Sequence, residues 1–164
     1  MTTICYRDGV LAADSRAYAG DKMPMGYKTK IHRLKGGYLV GASSRDVGTT
    51  DAFVDWCAGH ANKGKHPGLQ GHQHEINVQG ILVDPEGGVH YWYGQRCFSG
   101  PLKDDYFAIG SGEQFAYGAM KAGASAEEAV RIASECDSYT GGPIVTLKLE
   151  APSPAPRKPR KKRK

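Results

Sequence analysis

A threonine near the start of the chain could act as a nucleophile that carries its own base. Thr2 follows an initiator methionine, and aminopeptidases generally remove this methionine before a small residue, so we expect the mature chain to begin at Thr2. A free α-amine has a pKa of about 7.7–8.0, so a useful fraction is neutral near neutral pH. The amine could then take the hydroxyl proton directly or through one water while the oxygen attacks a carbonyl carbon.

A carboxylate is expected beside this threonine. Asp8-Gly9 separates two apolar runs, 4–6 and 10–13, and Asp-Gly is among the strongest hairpin dipeptides. The predicted hairpin folds Asp14 back to Thr2. On these residues alone, an ordinary N-terminal strand whose second residue happens to be threonine is the alternative.

Other residues with reactive side chains are less well arranged. Cys5 lies near the proposed site, but no histidine stands beside it in sequence to activate a thiolate. His72 and His74 would share one strand face with only Glu75 nearby, which favours solvated histidines over a zinc site, and no cofactor is expected. Neither a zinc ribbon nor a disulfide framework is indicated, because the cysteines are widely spread and form no C-x-x-C pair. They are Cys5, Cys57, Cys97 and Cys136.

The N-terminal hairpin resembles a known family. Thr2-Thr3-Ile4 and the stretch Gly9-Val10-Leu11-Ala12-Ala13-Asp14-Ser15-Arg16-Ala17 are similar to the mature N-terminus of proteasome β-subunits and of the HslV peptidase, which are N-terminal-nucleophile hydrolases. Five segments match in the same order over about residues 2–149, with 60–105 unmatched in detail. The resemblance implies an α+β fold, specifically a four-layer αββα sandwich.

The second matching segment carries a lysine. Lys30-Ile31-His32-Arg33-Leu34 resembles the segment that holds the family's active-site lysine. The resemblance implies that Lys30 stabilises the developing alkoxide of Thr2 and that Asp14 holds its ammonium in place. Lys28, two residues back on the same face, is the competing candidate.

Three further segments complete the implied site. Ser44 stands where the family usually has glycine, and its backbone N–H would donate a hydrogen bond to the substrate oxyanion. Ser111, in Gly110-Ser111-Gly112, would bond the Thr2 amine, and Asp137 and Thr140 would orient the hydroxyl and amine of Thr2. The implied substrate pocket consists of Ala17, Lys28 and Ala42.

Periodicity predicts the elements that position these residues. A second hairpin joins 28–34 to 38–42, and residues 17–28 have no period and are predicted as a surface loop. A helix through 51–57, capped by Thr49 or Thr50, should bury Phe53, Trp56 and Cys57. We predict a mobile loop at 59–71. The remaining predictions are strands at 75–84, 88–93, 106–109 and 143–150, a loop at 100–105, a helix at 113–120, and a helix opened by the capping box of Ser125 and Glu128.

Charge divides the chain into a body and a tail. Seven of the last eight residues are basic, and removing them from the total of 22 leaves 15 basic against 17 acidic residues, a net charge of −2. The proline-rich lead-in from 151 lacks the apolar residues needed to offset ordering entropy. We expect a peptidase domain at 1–150 and a disordered basic tail at 151–164. No apolar run is long enough for a membrane span, so we expect a cytoplasmic protein.

The resemblance implies a threonine-type endopeptidase that works as a homo-oligomeric ring of twelve to fourteen subunits. Unfolded polypeptide would be its substrate and an ATP-dependent unfoldase a candidate partner. Three alternatives stay open: a catalytically silent ring component, a protein that binds nucleic acid or an acidic partner through its basic tail, and an amidase acting on a small molecule.

Overall fold

The structure is a computed structural model that describes residues 2–18, 23–94 and 96–150. The predicted basic tail, residues 151–164, lies outside the described residues, so its disorder stays a prediction. None of the helices in the described ranges combines the length and the apolar character that a membrane crossing requires.

The described residues form eleven strands and three helices. The strands are β1 (Thr3–Arg7), β2 (Val10–Ala13), β3 (Arg16–Tyr18), β4 (Pro24–Tyr27), β5 (Ile31–Arg33), β6 (Leu39–Ser43), β7 (Gln79–Val83), β8 (Val89–Tyr93), β9 (Ser99–Leu102), β10 (Tyr106–Gly110) and β11 (Val145–Lys148). The helices are α1 (Thr49–Asn62), α2 (Glu113–Lys121) and α3 (Ala126–Cys136), with a short 3₁₀ turn at Pro67–Leu69.

Two antiparallel sheets face each other across the main core. The first has the strand order β10-β1-β2-β11 and the second the order β5-β6-β7-β8-β9. Ile4 and Leu11 of the first sheet pack with Ile81 and Val83 of the second, and none of these four side chains is exposed. Because successive side chains of a strand point to opposite faces, Cys5 and Ala12 lie on the other face of the first sheet.

The helices cover the two outer faces. Ala129 and Val130 of α3 pack with Cys5 and Ala12 of the first sheet, and α2 joins them there through Ala116. On the other side, α1 packs against the second sheet, with Phe53 beside Trp92. The order of layers is therefore helix, sheet, sheet, helix, and the prediction of a four-layer αββα sandwich is confirmed.

The turn between β1 and β2 sets the position of the candidate site. Asp8 has φ of 50° and Gly9 of 75°, the left-handed pair that a tight two-residue hairpin requires. The register pairs Ile4 with Ala13, so Asp14 lies opposite Thr3, and its side chain reaches the hydroxyl of the neighbouring Thr2. The predicted hairpin forms as expected.

Several predicted boundaries are wrong. The helix predicted through 51–57 begins at Thr49 and extends to Asn62, so the mobile loop predicted at 59–71 is partly helical. The helix continues because Ala61 buries against the sheet. Its N-cap is Gly48, with φ of 79° and no side-chain hydrogen bond, rather than a threonine.

Two predicted loops contain strands. Residues 17–28 include part of β3 and all of β4, and 100–105 includes the end of β9. Every residue of β4 and β9 is exposed, so neither strand has the apolar alternation that indicates a half-buried strand. The predicted strands at 28–34 and 75–84 shorten to β5 and β7.

Candidate active site

Thr2 lies at the start of β1 with both of its polar groups engaged. Its side chain is almost entirely buried, and its hydroxyl donates to Oδ1 of Asp14 at 2.6 Å. Its backbone N–H donates to Oγ of Ser111 at 3.2 Å. The Thr2 hydroxyl, the expected nucleophile, and the Thr2 nitrogen, the expected base, are therefore each held by a residue that is distant in sequence.

Both carboxylate oxygens of Asp14 accept hydrogen bonds. Oδ1 accepts from the Thr2 hydroxyl, from the Thr3 N–H at 3.0 Å and from Nζ of Lys30 at 2.8 Å. Oδ2 accepts from the Gly141 N–H at 3.0 Å. A buried carboxylate with this many donors is well satisfied, and the Thr2 hydroxyl and the Lys30 ammonium are brought to the same oxygen.

Lys30 and Lys28 have different partners, which separates the two lysine candidates. The Lys30 side chain is only 8% exposed and pairs with Asp14, whereas Lys28 pairs with Asp51 on α1. Burial lowers the pKa of Lys30, and the Asp14 carboxylate opposes that decrease. Lys30 is thus the lysine next to the Thr2 hydroxyl.

Hydroxyl groups connect the Thr2 nitrogen to a second carboxylate. Ser111 Oγ accepts from the Thr2 N–H and donates to Oδ2 of Asp137 at 2.7 Å. The same carboxylate oxygen accepts from Oγ1 of Thr140 at 2.6 Å, which in turn lies 2.7 Å from Oγ1 of Thr3. Asp137 therefore acts on the Thr2 nitrogen through Ser111, and Thr140 contacts Thr3 rather than Thr2.

Glycines allow the backbone around Ser111 to approach the start of β1. Gly110 has φ of 101°, and a Cβ added there would overlap the carbonyl oxygen of Thr2. A Cβ at Gly112 would overlap the hydroxyl of Thr3. The Gly-Ser-Gly sequence is thus required sterically in addition to supplying the serine.

A cavity of about 190 Å³ opens beside Thr2. Its lining includes all three residues of the implied substrate pocket, Ala17, Lys28 and Ala42, together with Ser44. A second cavity shares Ser43, Ser44 and Arg45 with the first and includes Ser111 in its wall. The two cavities therefore adjoin along the segment that contains the candidate oxyanion donor.

Ser44 keeps an ordinary backbone where glycine was expected. Among the non-glycine residues that the structure describes, Asp8 is the one with positive φ, so Ser44 carries no left-handed strain. Its hydroxyl donates to the Asn77 carbonyl at 2.7 Å and accepts from the Asp46 N–H at 3.0 Å. These bonds fix the segment whose N–H is the candidate oxyanion donor.

The cysteine nearest the site is chemically inert. Cys5 is fully buried on the face of β1 that contacts α3. Burial, with a smaller contribution from Asp14, raises the pKa of its thiol to about 12, so almost no thiolate exists at neutral pH.

A histidine cluster lies at the opposite end of the second sheet. Nε2 of His90 lies 3.2 Å from Oδ2 of Asp84, and Nε2 of His66 lies 3.8 Å from it. Because Nδ1 of His66 accepts from the Gly68 N–H at 3.1 Å, its ring proton is placed on Nε2, facing the carboxylate. His90 is thus within hydrogen-bond distance of the Asp84 carboxylate, whereas His66, which precedes the 3₁₀ turn, approaches it only as an ion-pair contact.

Sequence reasoning missed three contributors to the site. Thr3 donates its N–H to Asp14, Gly141 donates to the other carboxylate oxygen, and the Gln79 side chain accepts from the Gly110 N–H at 2.9 Å. The Gly141-Gly142 pair was a usable signal, because consecutive glycines indicate a turn that needs positive φ, and Gly142 has φ of 78°. No sequence signal pointed to Gln79.

Comparisons with known proteins find structural relatives only. No protein-family model and no curated protein sequence matches the chain. Among solved structures, eukaryotic HslV from Trypanosoma brucei matches with a TM-score of 0.69 at 18% identity, over 90% of this chain and 99% of that one. Thiobacillus denitrificans BPH matches with a TM-score of 0.55 at 21% identity, over 91% of this chain and 98% of that one. The same protein in complex with epoxomicin gives a TM-score of 0.53. The chain therefore has the fold of HslV.

Proposed function

We propose that the protein is a threonine-type endopeptidase whose active form begins at Thr2. The observation that carries this proposal is the meeting of the Thr2 hydroxyl and the Lys30 ammonium on one oxygen of Asp14. The structural likeness to HslV supports it. Removal of Met1 would convert the Thr2 N–H, now bonded to Ser111, into the free amine that serves as base.

The proposed reaction proceeds through an ester. Oγ1 of Thr2 attacks the peptide carbonyl carbon and its proton passes to the α-amine, while the Ser44 N–H and the backbone near Gly41 receive the oxyanion. The amine then protonates the leaving nitrogen as the C–N bond breaks. Water attacks the resulting acyl ester, the amine takes the water proton, and the Thr2 hydroxyl is regenerated as the acid product leaves.

The surrounding groups have separate tasks in this scheme. Lys30 favours the alkoxide of Thr2 electrostatically, and Asp14 holds the ammonium and the hydroxyl together. Ser111 orients the amine, with Asp137 and Thr140 holding Ser111 and Thr3 in place. This arrangement uses the full set of predicted catalytic residues, although Asp137 and Thr140 are positioning residues.

The experiment compares hydrolysis of short fluorogenic peptide amides and of unfolded casein by the native chain and by Thr2→Ala. The native chain should cleave both, and Thr2→Ala should cleave neither while keeping its circular dichroism spectrum. A native chain that cleaves only a small non-peptide amide would favour the amidase alternative. Absence of all hydrolysis with Met1 retained would favour a silent ring component.

Thiol alkylation tests the competing nucleophile. Cys97 and Cys136 are exposed, whereas Cys5 and Cys57 are buried, and burial raises the pKa of both to about 12. Iodoacetamide on the folded protein should therefore add two carbamidomethyl groups, visible by mass spectrometry, and leave peptide hydrolysis unchanged. Inactivation that parallels modification of Cys5 would show that the nucleophile is Cys5 and not Thr2.

We further propose that the subunits close into a ring of twelve to fourteen copies with the sites facing an internal chamber. A threonine peptidase open to the cytoplasm would degrade its neighbours, and a ring excludes folded proteins. The exposed apolar side chains of Met23, Met25 and Tyr27 are suited to burial between subunits. Light scattering at cellular salt concentration should give the mass of such a ring, and a monomeric mass would contradict it.

A further inference from the structure

The cavity beside Thr2 can receive one substrate side chain in particular. In the proposed reaction the attacked carbonyl carbon lies next to Thr2 Oγ1, and the side chain of the same residue branches one bond away from that carbonyl. The cavity includes Thr2 in its wall and extends to Val54 of α1 and Lys28. The second cavity does not include Thr2 in its wall, so we assign the first one to the residue on the N-terminal side of the cleaved bond.

The charges that line this cavity are predominantly positive. Four basic side chains, Arg16, Lys28, Lys30 and Arg45, line it together with two acidic ones, Asp46 and Asp51. Lys30 is paired with Asp14 below the cavity surface. Burial is the main cause of the lowered pKa of Lys30, and the positive charges of Lys28 and Arg16 lower it further.

Lys28 is held by an ion pair that a substrate can exchange. Its Nζ lies 2.6 Å from Oδ2 of Asp51 and 3.2 Å from Oγ1 of Thr50. The Lys28 and Asp51 side chains are 39% and 58% exposed, and ion pairs this exposed contribute little stability. A substrate carboxylate can therefore join or replace Asp51, whose own carboxylate can turn to solvent.

We infer that Lys28 gives the protein a preference for glutamate or aspartate on the N-terminal side of the cleaved bond. Asp51 limits this preference because it competes for the same ammonium. His32, which also lines the cavity, has a pKa lowered mainly by burial, so it is neutral at pH 7 and does not replace Lys28. The inference rests on the proposed peptidase activity.

The experiment uses four peptide amides, acetyl-Ala-Ala-Ala-X-aminomethylcoumarin, with X as Glu, Gln, Leu or Lys. Release of the dye reports only the residue before the cleaved bond. For the native chain, kcat/KM should be about tenfold higher for Glu than for its neutral isostere Gln, the effect of one charged hydrogen bond. The ratio should fall as salt is raised, because the pair is partly exposed.

Two substitutions assign the preference to this ion pair. Lys28→Met should bring the Glu-to-Gln ratio to about one, and Asp51→Asn should raise it above that of the native chain. Lys35→Met is the matched control, because Lys35 is an exposed lysine in the turn between β5 and β6 and should leave the ratio unchanged. Circular dichroism checks the fold of each variant, and Asp51→Asn remains informative if Lys28→Met unfolds.

The outcomes separate this inference from the proposed function. Equal rates for Glu and Gln in the native chain, faster cleavage after Lys, or a ratio retained in folded Lys28→Met would overturn the inference and leave the peptidase proposal standing. If none of the four peptides nor unfolded casein is cleaved by a chain that begins at Thr2, the proposed function fails and the inference with it.

Discussion

Replacing Lys30 with alanine is expected to lower kcat/KM for peptide hydrolysis by about 10³-fold, the size of effect seen when one preorganised electrostatic group is removed from an active site. Its ammonium lies 2.8 Å from the Asp14 oxygen that also accepts from the Thr2 hydroxyl. Without that charge the alkoxide of Thr2 is no longer favoured, and the neutral hydroxyl is a poor nucleophile.

The Lys30→Ala variant should be less stable than the native chain, because it also removes one partner of a buried ion pair, but it should remain folded. Asp14 still accepts from Thr2, Thr3 and Gly141, so its carboxylate keeps three donors. Lys35→Ala removes an exposed lysine five positions later and serves as the control with unchanged turnover. A Lys30→Ala variant with native circular dichroism and undiminished turnover would remove Lys30 from the site.

Replacing Asp14 with asparagine is expected to lower the free energy of unfolding by about 3–5 kcal/mol, as when one partner of a buried ion pair is removed. An asparagine side chain offers one accepting oxygen and one donating NH₂. The NH₂ must face either the Gly141 N–H or the donors from Thr2, Thr3 and Lys30, so donors oppose donors in both orientations. Urea unfolding followed by circular dichroism measures the loss.

The same variant should change the pH dependence of any residual hydrolysis. Burial lowers the pKa of Lys30, and the Asp14 carboxylate opposes that decrease. In Asp14→Asn the lysine should lose its proton at a lower pH, so activity should fall earlier on the alkaline side than in the native chain. Asp55→Asn, at an exposed position of α1, should change neither quantity. An unchanged alkaline limb in Asp14→Asn would mean that Lys30 does not act as a cation.

The parts of the fold predicted from sequence are those with local signals. The Asp8-Gly9 turn forms with the expected positive φ, and Ser125 accepts from the Glu128 N–H as the capping box predicts. The alternation of Val145, Leu147 and Leu149 also places them against the core between the sheets. In each case a few neighbouring residues determine the geometry.

The missed elements depend on contacts that sequence does not display. Strand β4 exposes every residue and is defined by its pairing with β3, so no apolar period marks it. Gln79 reaches the site only because β7 and β10 meet in space. Likewise, the contact of Thr140 with Thr3 joins residues 137 positions apart, whereas its predicted effect on Thr2 came from the family resemblance alone.

The intact mass of a purified preparation, with peptide hydrolysis measured on the same sample, tests the proposal that the free amine of Thr2 is the base. We expect a single species that begins at Thr2 and cleaves peptide amides, because the α-amine of Thr2 is the proposed base. A preparation that cleaves peptides at an undiminished rate while Met1 is fully retained would contradict it, because no free amine would then stand beside the Thr2 hydroxyl.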